Sequence, residues 1–269
     1  VGRRLITVAD DFGLSESVNE AVEIAAREGI LTSASLMVAG PAAADAVRRA
    51  RTLPSLHVGL HLVVIEGPAV LPMSRIPHLV GPDGRFPSGQ LRLGAAYAFH
   101  PGARRELAAE IRAQFTAFQA TGLRLDHANA HKHMHLHPVV GALMIGIGRE
   151  FGLRAIRVPA EPAFPGQTIG AFALRHWCRI LRAQAARAGM RTNDQVLGLA
   201  HTGHMTKARV TALLAALPAG LTEMYFHPAS RPDRVLAALM PDYEHQAELE
   251  ALLSCRVPGD TVLTHYGSL

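Results

Sequence analysis

A chain of 269 residues with 49% hydrophobic content can bury one large core, and both a (β/α) barrel and a doubly wound sheet reach that size as a single domain. It holds no apolar run of the roughly eighteen residues that a membrane-spanning helix needs. The net charge is +5 and the pI about 9.8, but no arginine run or aromatic-interleaved basic stripe accompanies them, so nucleic acid is not an expected partner.

In chain order, β-rich apolar runs are predicted at residues 5–9, 33–38, 56–62, 123–129, 155–158, 195–199, 221–226 and 260–264. Helical periods fall between most of them, at 17–28, 42–51, 104–120, 138–151, 168–188, 206–216 and 243–253. Ser15 or Ser17 can cap the first helix, Gly29 follows its end, and Pro138 suits a first helical turn. Strands alternating with helices imply a parallel sheet, because parallel neighbours need crossovers. Eight strand candidates favour an irregular (β/α) barrel of the TIM type over an open doubly wound sheet. Residues 63–101 break the rhythm with Pro68, Pro72, Pro77, Pro82 and Pro87, and are expected to be a long loop insertion in one domain spanning 1–269.

Cys178 and Cys255 have neither metal-type nor disulfide-framework spacing. Val1-Gly2-Arg3-Arg4 runs straight into a strand pattern, leaving no room for a signal peptide. The expectation is a reduced, cytoplasmic protein. In the segment 167–191, helical spacing puts Leu174, Trp177, Cys178 and Leu181 on one stripe and Arg175, Arg179 and Arg182 on another. Such a stripe usually packs on a sheet; less often a basic helix with a Trp lies against anionic lipid, which leaves room for peripheral contact with the inner membrane.

Chemistry-bearing residues gather at strand ends, where parallel α/β folds build their active sites. Asp10-Asp11 closes the first strand, and adjacent carboxylates repel unless a cation or proton stabilises them. His57 and His61 lie four apart on one face of the third strand, with His61 nearer its C-terminal end. His127, His131, His133, His135 and His137 put five of the fifteen histidines into eleven residues, all at even spacing, so an extended chain would turn them to one face. They cannot share one ion: His131 and His135 would be about 13 Å apart, whereas two ligands each sit about 2 Å from the metal. His227 and Arg157 occupy two further strand ends, Arg157 with Asp10 and Glu161 as candidate partners. A carboxylate and two imidazoles suit a hydrolytic divalent-metal site, and no G-x-S-x-G elbow, Walker loop or strand-linked G-x-G-x-x-G competes with that reading.

Three segments in order, Thr7-Val8-Ala9-Asp10-Asp11-Phe12-Gly13-Leu14-Ser15, then Gly59-Leu60-His61-Leu62, then His131-Lys132-His133-Met134-His135-Leu136-His137-Pro138, resemble the motifs of the YdjC-like (ChbG) carbohydrate deacetylases. The likeness runs from the first strand to at least Pro228. Residues 129–133 and 29–39 most resemble the branch associated with hopanoid lipid biosynthesis (HpnK-type). The resemblance implies an irregular (β/α) barrel and one divalent ion, zinc or magnesium, held by Asp11, His61 and His131. It further implies Asp10 as general base and a protonated His227 assisting the leaving amine; in the mechanism these parts suggest, Arg157 would hold Asp10 ionised and oriented. Chitooligosaccharide-type members carry Asp-Ser where this chain has Asn129-Ala130, which points to a different glycan or a glycolipid. The implied reaction is N-deacetylation of an acetylated sugar, with an N-acetylglucosaminyl hopanoid the expected substrate. The rivals are another metal hydrolase, such as a phosphoesterase or amidohydrolase, and a non-enzymatic metal- or lipid-binding module.

Overall fold

The computed structural model describes residues 2–162 and 169–269. Among them the strands are β1 (Arg3–Phe12), β2 (Ser33–Leu36), β3 (His57–Leu62), β4 (Ala128–Ala130), β5 (Ala155–Ile156), β6 (Arg191–Thr192), β7 (Gln195–Leu197), β8 (Gly220–Phe226) and β9 (Thr261–Leu263). The helices are α1 (Glu16–Glu28), α2 (Ala43–Ala50), α3 (Gln90–Phe99), α4 (Pro101–Ala120), α5 (Pro138–Glu150), α6 (Ile169–Arg187), α7 (Lys207–Ala215), α8 (Arg234–Leu239) and α9 (His245–Ser254). The strands form one curled parallel sheet in the order β6-β5-β4-β3-β2-β1-β8-β7, an irregular TIM-like α/β fold. β9 pairs with the first residues of β1, Arg3 to Leu5, while β2 pairs with its later residues from Val8 on.

The ends of this sheet meet through a side chain. Asn193, between β6 and β7, accepts from the Val158 amide at 2.7 Å and donates to the Val158 carbonyl at 2.9 Å, as a neighbouring strand would. The Val196 amide adds a bond to the Ala160 carbonyl at 2.9 Å.

Strand parity sorts the residues. Ile6 and Val8 pack inside the curl with Ala155, Val196, Leu221, Tyr225 and Tyr266, whereas Leu5 and Ala9 pack outward in the larger core beneath the helices. A strand buried on both faces reads as a continuous apolar run, as β1 does. By the same parity Asp10, Ser35, His61, Asn129, Arg157 and Glu223 point inward, so one side of the interior is apolar and the other polar.

The predicted elements recur with shifted ends, and two expectations change. Residues 63–101 are not a loop throughout, because they contain α3. Its signal was hidden by flanking Gly81, Gly84, Pro87 and Gly89 and by a narrow buried face of only Leu93 and Tyr97. α4 starts earlier than predicted, at Pro101, where the His100 imidazole accepts from the Ala103 amide at 3.0 Å. α8 carried no legible period. The predicted start of α6 at Thr168 lies outside the described residues.

Candidate metal centre and active site

Neighbouring residues of a regular strand face opposite sides, yet Asp10 and Asp11 both reach the site. The register of β1 against β2 slips between Ala9 and Phe12, and Asp11 takes a left-handed φ of 60°. This bulge re-aims Asp11 toward β3 and β4 without moving Asp10 off the inner face. A left-handed aspartate carries strain, and such strain concentrates at functional sites.

Asp11, His61 and His131 converge, with one ligand atom from each within 4.8 Å of the others. The His61 Nε2 is 3.2 Å and the His131 Nδ1 3.1 Å from the same carboxylate oxygen, Asp11 Oδ1. Asp11 Oδ2 is buried with no hydrogen-bond partner among the described residues. Burial opposes charge on His61, but the flanking Asp10 and Asp11 carboxylates outweigh it and raise the imidazole above its ordinary value. One buried carboxylate with an orphaned oxygen and two imidazoles fit a divalent cation, and imidazole donors suit zinc better than magnesium.

Asp10 belongs to a different arrangement. Arg157, with no solvent exposure, donates to Asp10 Oδ2 at 2.6 Å and Oδ1 at 3.0 Å, and through Nε to Glu223 Oε1 at 2.5 Å. Burial pushes the Asp10 carboxyl up, but Arg157, aided by His61 and His227, outweighs it and holds the group far below the usual carboxylate range. The expected partner Glu161 is corrected to Glu223. Glu161 instead accepts the amides of Gly198, Leu199 and Ala200, because Pro159 lies past the end of β5 and the chain turns away.

His227 lies beyond β8 in the same pocket, which also takes in Asp10, His61, His131, Tyr225 and Tyr243 and has a volume of about 300 Å³. Its Nδ1 is buried without a partner, and burial pushes the imidazole down to about 4.

The histidine run does not stay extended. After Ala130 the chain tightens into a 3-10 turn at His131–Leu136, with Lys132 and His133 left-handed. The shared face predicted from even spacing is lost. His131 turns to Asp11, His133 lines the pocket, His135 Nε2 meets the Arg157 carbonyl at 3.1 Å, and His137 faces a neighbouring groove. His57 is likewise not in the site; at the far end of β3 it stacks on His265.

Several site members were not singled out in the sequence. Lys132 pairs with Glu66 at the pocket rim. Asn129 bonds to three groups, accepting from His61 and donating to Asp10 and Ser35, although only its departure from the chitooligosaccharide-type motif marked it. Glu223 gave a signal that went unread, a carboxylate on the inner parity of an otherwise apolar strand.

A family model described as YdjC-like protein matches residues 4–260. A carbohydrate deacetylase of Brevibacillus brevis is 40% identical over 158 residues, 59% of this chain and 58% of that protein. The matched chain thus spans a little under three fifths of that relative's length. A carbohydrate deacetylase of Homo sapiens is 34% identical over 227 residues, 81% of this chain and 70% of that protein. Among solved structures, a protein of Enterococcus faecalis V583 whose name ties it to cellobiose-phosphate cleavage superposes with a TM-score of 0.78 at 23% identity, covering 100% of this chain and 99% of that one. This last likeness carries the fold alone.

Arg157 supplies a stability test. Arg157→Met leaves Asp10 and Glu223 buried without a counter-charge, which is expected to cost about 3–5 kcal/mol in urea unfolding at neutral pH. The sign with pH separates the two proteins. In the parent the depressed Asp10 carboxyl stabilises the fold above its ordinary value of 3.8, and that contribution is lost as pH falls below it. The variant's carboxyls are raised instead, so part of its lost stability should return on acidification. A variant that unfolds like the parent at every pH would contradict the pairing.

Proposed function

The chain belongs to the YdjC-like family, and on that premise we propose that it is a divalent-metal-dependent N-deacetylase of an acetylated sugar. The observation that carries this reading is the convergence of Asp11, His61 and His131 beside a second, separately held carboxylate in one pocket. Asp11, His61 and His131 would hold the ion. When bound, it supplies Lewis acidity toward the acetamide carbonyl and an acidified water.

The other residues follow from their surroundings. Arg157 fixes Asp10 as a carboxylate and lowers its proton affinity, so Asp10 is a base matched to a water already made acidic. Water adds its hydroxyl to the carbonyl carbon, the C–N bond breaks, and acetate and a free amino sugar leave. Asp10 takes one proton of that water, and a proton passed on through His227 in the same pocket is returned to the departing nitrogen, so that none is gained or lost overall. Tyr225 and Tyr243 flank its ring at 5.6 and 5.2 Å between centroids and exclude water around it.

The substrate we propose is an N-acetylglucosaminyl lipid of the hopanoid type, in keeping with the HpnK-like residues 129–133. Support comes from a second cavity of about 690 Å³ that shares Lys132 and His133 with the catalytic pocket and is walled by Leu91, Phe99, Met134, Leu174 and Trp177. Of the apolar residues in 63–101, Ile76, Leu79, Val80, Phe86 and Tyr97 are buried in the core, but Leu91 and Phe99 are 91% and 84% exposed at this groove. An apolar aglycone there would bury methylenes worth about 0.8 kcal/mol each, and that remote binding can be used at the acetamide. No helix among the described residues is long and apolar enough to cross a membrane. The exposed Leu91, Phe99 and Trp177 would meet a lipid surface by peripheral contact.

Asp10→Asn is expected to retain the metal while lowering turnover by about a hundredfold or more. Asp11→Asn is expected to weaken metal binding itself. Elemental analysis with an acetate-release assay decides it, and loss of metal from the Asp10 variant alone would reverse the two roles.

For the substrate, N-acetylglucosaminyl hopanoid and diacetylchitobiose are compared in one detergent buffer. The lipid is expected to be the better substrate, and Leu91→Ser with Phe99→Ser to reduce kcat/KM for it alone. Equal or better turnover of the chitobiose would remove the lipid and leave the deacetylase.

A further inference from the structure

Behind the metal site the polar side of the interior forms an unbroken chain of hydrogen bonds running down the sheet. At its lower end the Asp126 carboxylate, 6% exposed, takes the His265 Nδ1 at 2.8 Å and the Gly267 amide at 2.7 Å on one oxygen. Its other oxygen meets His127 Nδ1 at 3.0 Å. His127 Nε2 lies 3.1 Å from Ser35 Oγ, and Asn129 Nδ2 donates to that hydroxyl at 2.9 Å. The same Asn129 amide nitrogen donates to Asp10 Oδ1 at 3.1 Å, while its Oδ1 lies 2.7 Å from His61 Nδ1. His127, Ser35 and Asn129 have no solvent exposure. Room for the His127 ring exists because residue 59 is glycine: a Cβ there would lie 2.5 Å from the His127 Cε1.

Donor and acceptor roles propagate along this chain in one sense. Asp126 is an acceptor, so His127 Nδ1 bears the proton and its Nε2 accepts. Ser35 must then donate to His127, which leaves its lone pairs for Asn129. The Asn129 NH2 group therefore faces Ser35 and Asp10, and its carbonyl oxygen faces His61. His61 in turn must carry its proton on Nδ1, leaving the Nε2 lone pair facing Asp11. Resting on the reading of the metal centre above, we propose that Asp126, His127 and Ser35 are positioning residues which, through Asn129, fix the tautomer of His61 and seat Asp10.

Three ligand atoms of His57, Asp126 and His265 also lie within 4.8 Å of one another. The two imidazoles stack at 3.3 Å with only 1° between their planes, so their in-plane lone pairs run parallel and do not converge on one ion. That cluster serves better as the anchor of the chain than as a second metal site.

The test is long-range nitrogen–proton correlation NMR of the metal-free protein at alkaline pH, where neutral imidazoles report their tautomers. The parent is expected to show His61 protonated on Nδ1 alone. Ser35→Ala and Asp126→Asn are expected to give mixed His61 tautomers and to lower zinc affinity, by competition titration, by about tenfold for Ser35→Ala. Thermal melts of both report whether they fold. A parent His61 protonated on Nε2 overturns the proposal whether or not either variant folds, as does a pure Nδ1–H tautomer with unchanged affinity in both folded variants. The acetate assay is separate: the expected tautomers without acetate release from any N-acetylated sugar would remove the deacetylase and leave the hydrogen-bonded chain.

Discussion

A guanidinium with no contact to water holds the middle of the sheet together. Arg157 reaches β1 through Asp10 and β8 through Glu223, and Tyr266 near the C-terminus closes on the same Glu223. Removing Arg157 would strand two carboxylates in a low-dielectric interior, so Asp10 and Glu223 are both tied to it. Arginine suits the place because its planar fork engages a carboxylate at two points and stays charged when buried. Asp10, the proposed base, is thus fixed by the element that holds the sheet together, and its geometry follows from the fold more than from the loops.

The candidate metal centre stands on the other polar contacts of the same interior. Backbone irregularity supplies what parity alone cannot. The bulge at Asp11 turns a second carboxylate inward, and the left-handed pair Lys132-His133 splays a histidine run so that one imidazole meets that carboxylate. Asn129 joins the two carboxylate systems, because an amide can accept from His61 and donate to Asp10 at once. An aspartate at 129 could only accept, so this chain's Asn129 gives Asp10 a donor where a carboxylate would repel it.

Much of this was legible because strand ends and residue types carry strong signals. The Asp10-Asp11 pair after an apolar run and His61 after Gly-Leu were readable as strand-end residues, and the family resemblance brought them into one site. What was not legible depended on conformation or on long-range pairing. Even spacing from His127 to His137 suggested a common face, but one 3-10 turn cancelled it. Glu161, close in sequence, was a candidate partner for Arg157 alongside Asp10, whereas Glu223 comes into reach only through the ladder between β1 and β8, which places it beside Ile6. Asn193 closes the sheet with a side chain, which no hydrophobic period encodes. The helix α3 hides because it exposes Leu91 and Phe99, the feature that makes it useful at the groove.

The candidate active-site pocket and the apolar groove meet at Lys132 and His133, the two residues next to the expected ligand His131. A substrate spanning both would therefore press on the turn that positions His131, coupling recognition of its apolar part to the geometry at the acetamide. All of this depends on an ion at Asp11. The most direct measurement is diffraction from crystals grown with one equivalent of zinc, recorded on both sides of the zinc absorption edge. Expected is one anomalous peak about 2.0–2.2 Å from an Asp11 oxygen, His61 Nε2 and His131 Nδ1. A peak between His57, Asp126 and His265 with none at Asp11, or no peak anywhere, would contradict it.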